Sequence, residues 1–205
     1  IKSLNLKKGD EIITTSNTWI SSAYAIELNN CKPVFIDICE SDYQMDCNLL
    51  EKKLSKKTKA IMVTHLYGYP NDMDKVCKFA KKNNLYIIED IAQSHLAKYK
   101  NKIVGNFGHI ACLSFYPSKN LGALGDGGAI LTNSKKIYEK CKSYANYGAT
   151  NFRDKDHKII GINSRMDEIQ AGFLIEKLKN LKNDTNKRIK LSKEYNKKCD
   201  QIALK

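Results

Sequence analysis

With 205 residues, 42% of them hydrophobic and 28% charged, the chain can build a packed core and is too ordinary in composition for a disordered or fibrous protein. No apolar run approaches the roughly 20 residues of a membrane helix, and no basic start followed by an apolar segment marks a secretory leader, so the expected compartment is the cytoplasm. The net charge of +13 rests almost wholly on lysines in dispersed pairs such as Lys52-Lys53 and Lys81-Lys82, with Arg153, Arg165 and Arg188 the only arginines, a pattern of solvated helix surfaces that predicts no nucleic-acid partner.

In chain order, Ile1 to Gly9 reads as the end of a helix and a turn, and Glu11 to Thr14 as a short β-branched strand. Thr18 to Leu28 has helical spacing, Pro33 to Ile38 is a second strand, and Asn48 to Leu54 a short helix. The continuous apolar run Lys59 to Thr64 suits a strand buried on both faces of a parallel sheet. Asp72 to Asn83 is a helix with Met73, Val76, Cys77 and Ala80 on one stripe, and Leu85 to Glu89 is a strand that delivers Asp90 at its carboxyl end. His109 to Phe115 and Gly128 to Thr132 are strands too close together for a crossover helix, so one antiparallel strand is expected in an otherwise parallel sheet. Helices then dominate, over Lys135 to Tyr147 and Arg165 to Lys182, and the whole reads as a three-layer α/β/α fold with a mostly parallel mixed sheet.

The seven cysteines are an odd number without a C-x-x-C pair or a histidine at zinc spacing. They read as reduced thiols, with no metal site; Cys112, inside an apolar run, reads as a small hydrophobe rather than a nucleophile.

Two places carry chemistry. Lys119 follows an apolar strand and Pro117, and precedes the glycine-rich turn 120–128, which lets backbone approach a ligand closely. Taken alone, such a lysine also reads as simply solvent-exposed. Asp90 ends an apolar strand, where open α/β sheets bind ligands, and taken alone it also reads as a turn or cap carboxylate.

Seven segments in register resolve both: Ser16-Asn17-Thr18-Trp19, His65 to Asp74, Asp90-Ile91-Ala92-Gln93, Gly105-Asn106-Phe107-Gly108, Ser114 to Asn120, Gly125 to Ala129 and Gly161 to Ala171. Their order and spacing resemble the DegT/DnrJ/EryC1/StrS family of sugar aminotransferases. The resemblance implies the large domain of the aspartate aminotransferase fold (fold type I) and pyridoxal 5'-phosphate as cofactor. It implies that Lys119 is the catalytic lysine that carries the cofactor and moves protons, that Asp90 pairs with the pyridinium nitrogen and that Gln93 bonds the phenolic oxygen. It implies further that Trp19 stacks on the ring, that Ser114 donates to the phosphate, and that Asn163 reaches the cofactor phosphate of the partner in a homodimer. Tyr116 and Arg165 are substrate-facing candidates, Arg165 having as its alternative an ion pair with Asp167 or Glu168 at a helix start.

Lys119, rather than the histidine of the family's dehydrating members, implies transamination from glutamate to a nucleotide-linked keto sugar. The stretch Phe115 to Asp126 is similar to members acting at C3 of dTDP-3-keto-6-deoxyhexoses; members acting at C4 more often carry Phe-His-Pro and Thr-Gly-Glu there. A C4 enzyme and a non-catalytic regulatory relative are the alternatives, the latter expected to have lost Lys119, Asp90 or Gln93. Residues 1–182 are expected to belong to the cofactor-binding domain and 183–205 to a helical connection toward a smaller C-terminal domain. Both ends look cut. The family's upstream Gly-Thr turn and its small domain lie outside the sequence, so the 205-residue piece is expected to bind cofactor weakly or not at all, and to be inactive by itself.

Overall fold

A computed structural model describes residues 1–150 and 156–203, with side chains through 200; Arg153 lies outside the described residues. A six-stranded sheet forms the middle layer, in the order β2-β1-β3-β4-β7-β8. Its strands are β1 (Glu11–Thr15), β2 (Lys32–Ile36), β3 (Thr58–Thr64), β4 (Tyr86–Asp90), β7 (Ile110–Ser114) and β8 (Gly128–Leu131). All neighbours run parallel except β7 and β8, which pair antiparallel from Ala111 opposite Leu131 to Ser114 opposite Gly128. The expected mixed sheet is therefore present, with its one reversed strand at an edge.

The period-2 alternation of strands divides the apolar residues between two faces. Ile13, Ile61, Val63 and Ile87 pack with Met73, Val76, Phe79 and Ala80 of α3 (Met73–Lys82), and with Leu50 of α2 (Leu50–Lys53). Ile12, Ala60, Met62, Ile88 and Ile110 face the other way, against Ile26 of α1 (Ser21–Glu27) and Ile137 of α4 (Lys135–Tyr144). Helices on both faces complete the three layers. Asp72 caps α3 by accepting from Lys75 N–H at 3.1 Å, and Ser134 caps α4 by accepting from Ile137 N–H at 3.4 Å.

Several boundaries differ from the expectations. α1 begins at Ser21 rather than Thr18, because Thr18 to Ile20 form an irregular lead-in beside β3. α4 stops at Tyr144; Tyr147 takes a left-handed φ of 55° that ends helical geometry. α5 (Glu168–Ala203) begins three residues after Arg165 and runs unbroken through 182. A two-stranded antiparallel ribbon, β5 (Lys98–Tyr99) with β6 (Lys102–Ile103), was not anticipated at all. Among the described residues, no helix is long and apolar enough to cross a membrane, and no cluster of His, Cys, Asp or Glu could hold a metal ion.

The sheet order also locates a crevice. From β1 the chain moves outward to β2 and returns on the opposite side as β3, so the topology switches between β1 and β3. Ligands of open α/β sheets bind beyond strand carboxyl ends at such a point. Thr18, after β1, reaches across it: its hydroxyl donates to Thr64 Oγ1 at the end of β3, at 3.3 Å.

Candidate active site

Thr64, Asp90 and Ser114 are the last residues of β3, β4 and β7, three parallel strands in succession. Asp90 is half-buried; its Oδ1 accepts from Ala92 N–H at 3.0 Å, and Ser22 Oγ donates to its Oδ2 at 3.4 Å. Trp19, the only tryptophan, stands on the same strand-end side, 74% exposed, so its indole is available to a planar ligand.

Gln93 is oriented by a single bond. Its Oε1 accepts from Tyr67 N–H at 2.9 Å, which leaves the amide nitrogen as the outward donor. Tyr67 achieves this with a left-handed φ of 56°, a conformation costly for a bulky residue, and with its ring 80% exposed.

Directly beneath Asp90 lies a fully buried pair. Glu89 accepts from the N–H groups of Gly105, Phe107 and Gly108, and His65 Nε2 stands 3.2 Å from its Oε2. Because Asn71 N–H donates to His65 Nδ1 at 3.1 Å, the ring proton sits on Nε2 and points at the carboxylate. Burial pushes the Glu89 carboxyl up, but His65 and the amides of Gly105 and Gly108 outweigh it and hold the group below its ordinary value. The pair also fixes its surroundings: His65 N–H donates to Asp90 O at 3.0 Å, and Ser94 Oγ donates to His65 O. The motif Gly105 to Gly108 is thereby explained as a carboxylate-binding turn. A Cβ on Gly108 would lie 2.8 Å from Ile87 O, too close for any other residue.

Lys119 is set by a tight turn. Its N–H donates to Tyr116 O at 2.8 Å, Ala123 N–H donates to Phe115 O at 2.7 Å, and a Cβ on Gly122 would lie 2.2 Å from Pro117 O. α5 grips the far side of the turn: Gln170 Oε1 accepts from Leu124 N–H at 2.8 Å, and Lys177 Nζ donates to Gly122 O at 2.8 Å. Leu174 and Leu181, on the same helix face, pack onto Phe115, Leu121 and Ala123. Sequence reading missed Gln170, Lys177, Glu89 and His65 as parts of the site. The spacing of Gln170, Leu174, Lys177 and Leu181, one stripe of a helix, was the signal available for α5.

Lys119 and Gln93 line one cleft of about 1080 Å³, together with Tyr67, Lys98, Lys182 and Arg188. Asp90, Ser114, Trp19 and Tyr116 stand outside this lining. Ser114 Oγ accepts from Tyr116 N–H at 3.3 Å, and the Tyr116 ring is exposed. Asn163 and Arg165 are also elsewhere: Asn163 pairs its backbone with Asn146 and is exposed, while Arg165 Nη1 donates to Asn146 Oδ1 at 2.6 Å and lies 5.4 Å from the Tyr147 ring centre. Burial pushes the Cys112 thiol up to about 11, away from a reactive thiolate.

The sheet thus carries an acid at the end of β4, an amide three residues on, and a lysine in a glycine-rich turn after β7. Comparison with known proteins names the family. The chain belongs to the DegT/DnrJ/EryC1/StrS aminotransferase family, whose model matches residues 1–205. It is 44% identical over 195 residues to the dTDP-3-amino-3,6-dideoxy-alpha-D-galactopyranose transaminase of Aneurinibacillus thermoaerophilus, covering 95% of this chain and 53% of that protein. It is 36% identical over 200 residues to the GDP-perosamine synthase of Escherichia coli O157:H7, covering 98% and 55%. Among solved structures, DesV of S. venezuelae in complex with a ketimine intermediate superposes with a TM-score of 0.85 at 38% identity, over 89% of this chain and 48% of that one. The chain thus spans about half the length of the relatives it matches.

Replacing Glu89 with glutamine turns an amide toward donors, so we expect a loss of about 1–3 kcal/mol at neutral pH. The native carboxyl, held below its ordinary value, contributes stability that is complete above about pH 4.3 and lost as pH falls through the lower folded value. Denaturant melts between neutral and acid pH should show this acid limb in the native protein and a flatter one in Glu89→Gln; identical limbs would contradict the assignment. Gly122→Ala should open the Lys119 turn. Amide exchange at Lys119 and Ala123 should quicken about tenfold or more while β3 exchange stays unchanged, and unchanged exchange at both turn amides would refute it.

Proposed function

We propose that the chain is the cofactor-binding core of a pyridoxal-phosphate-dependent aminotransferase that moves an amino group from glutamate to a nucleotide-linked keto sugar. One observation carries the reading: Asp90 ends β4, Gln93 three residues on is pinned with its amide donor outward, and Lys119 shares a cleft with it. Pyridoxal phosphate, when bound, supplies an electron-withdrawing ring and a carbon that takes up an amine. In this reading Asp90 holds the ring nitrogen, Gln93 the phenolic oxygen, Ser114 the phosphate and Trp19 a ring face. Lys119 binds the cofactor and shuttles the proton at the reacting carbon.

The cleft also favours an anionic substrate. Lys98, Lys119, Lys182 and Arg188 line it, and among the described residues no carboxylate does, which suits a nucleotide diphosphate. Tyr116 is exposed on the Lys119 turn and is our candidate for sugar contact; Arg165 is a second, weaker one because it is engaged by Asn146 and Tyr147. Asn163 is exposed, as a residue reaching into a partner subunit must be, and we assign it to the shared site of a homodimer. Seven free cysteines accord with a cytoplasmic location. A regulatory member without catalysis is disfavoured because Lys119, Asp90 and Gln93 are all retained.

Relatives acting at both positions match the chain, and the stretch Phe115 to Asp126 favours C3 of a dTDP-3-keto-6-deoxyhexose. The test is to supply the full-length protein with pyridoxal phosphate, glutamate and either 3-keto or 4-keto dTDP sugars, and to identify the product by NMR. A 3-amino sugar is expected. A 4-amino sugar would overturn the C3 position alone, and no amino sugar from either substrate would overturn the function.

A further inference from the structure

His95 is buried, with 6% exposure, yet neither of its ring nitrogens has a hydrogen-bond partner. A buried polar atom left unpaired costs roughly 1–3 kcal/mol, so such a ring calls for a partner that this state of the protein lacks. The backbone on either side is fixed, Ser94 Oγ donating to His65 O and Ala97 N–H to Ser94 O. The Phe115 ring covers it at a centroid distance of 6.1 Å. The polar groups that act on it are the Lys119 ammonium and the Ser114 backbone. Lys98, Lys182, Arg188 and Tyr67 are the other charged or titratable groups lining the cleft that His95 and Lys119 share. The Lys119 ammonium itself has no hydrogen bond or ion pair among the described residues. A donor without an acceptor therefore lines the same cleft as an acceptor without a donor, and its charge acts on that ring.

We propose that His95 is a positioning residue for Lys119: its buried ring nitrogen takes the lysine amine whenever that amine is free of cofactor. The side chain is then held at the end of β7 instead of wandering in a wide basic cleft. The Ser114 backbone, which also acts on the ring, is left to the second ring nitrogen. Burial and the neighbouring ammonium both push His95 below its ordinary value, which keeps it neutral and able to accept at physiological pH. The proposal rests on Lys119 being the reactive amine.

The experiment uses the full-length protein freed of cofactor. Competitive acetylation of Lys119, read by mass spectrometry from roughly pH 6 to 11, gives the protonation midpoint of the amine directly. An acceptor favours the charged amine, so His95→Phe should lower the midpoint by about one pH unit, and His95→Gln, which keeps an acceptor, should recover at least about half of the shift. A midpoint in His95→Phe within about 0.2 units of the parent overturns the proposal. Should that variant fail to fold, ¹⁵N shifts of His95 in Lys119→Met decide instead: its titration should move up when the ammonium is gone, and an unmoved titration overturns the proposal equally. Neither readout involves bound cofactor. A shifted midpoint in a protein that never binds pyridoxal phosphate would sustain this inference and remove the proposed function, and an unshifted one with binding intact would do the reverse.

Discussion

A carboxylate shut away from water must be surrounded by donors, and Glu89 is: three backbone amides and the His65 ring converge on it at the centre of the molecule. The donors come from separate parts of the chain, so satisfying one charge ties the end of β3, the end of β4 and the 105–108 turn into one unit. Asp90, the next residue, inherits that rigidity. Removing a donor from such a carboxylate typically costs about 1–3 kcal/mol or more, because a buried charged group is left unsatisfied. The arrangement is thus a requirement on everything around it: Gly105 and Gly108 admit no side chain, and Asn71 must present its amide to His65 so that the proton lies on the correct nitrogen.

The second half of the site has a different origin. Lys119 sits in a turn whose own hydrogen bonds are few, and α5 clamps it from outside through Gln170, Lys177 and an apolar pair of leucines. Asp90 and Gln93 are held from below by the sheet, whereas Lys119 is held from above by a helix contributed some fifty residues later in the chain. Gln93 and Lys119 meet across the cleft, which among the described residues carries four cations and no acid.

Much of this was legible from residues alone. The continuous apolar run of β3 and the short interval between β7 and β8 predicted the layered mixed sheet and its antiparallel strand. What escaped was of two kinds. The ribbon of β5 and β6 has two residues per strand, too short for any period to register, and its sequence of Lys98, Tyr99, Lys102 and Ile103 is half charged. The anchoring of Glu89 escaped for a deeper reason: its donors are mainly main-chain N–H groups, which every residue but proline carries, so no side-chain pattern could announce them. Trp19, Asp90, Gln93 and Lys119 were singled out through the family resemblance, not by their own types; His95 and Tyr67 were not singled out, since burial and a left-handed backbone belong to the fold rather than to the letters.

The central claim is that Lys119 is the amine this scaffold presents to pyridoxal phosphate. It is tested most directly by mixing the full-length protein with the cofactor, reducing with borohydride and sequencing the peptides by mass spectrometry. The account predicts a phosphopyridoxyl group on Lys119 alone, abolished by Lys119→Ala. Label spread over the surface lysines, or a single label on another lysine, would contradict it.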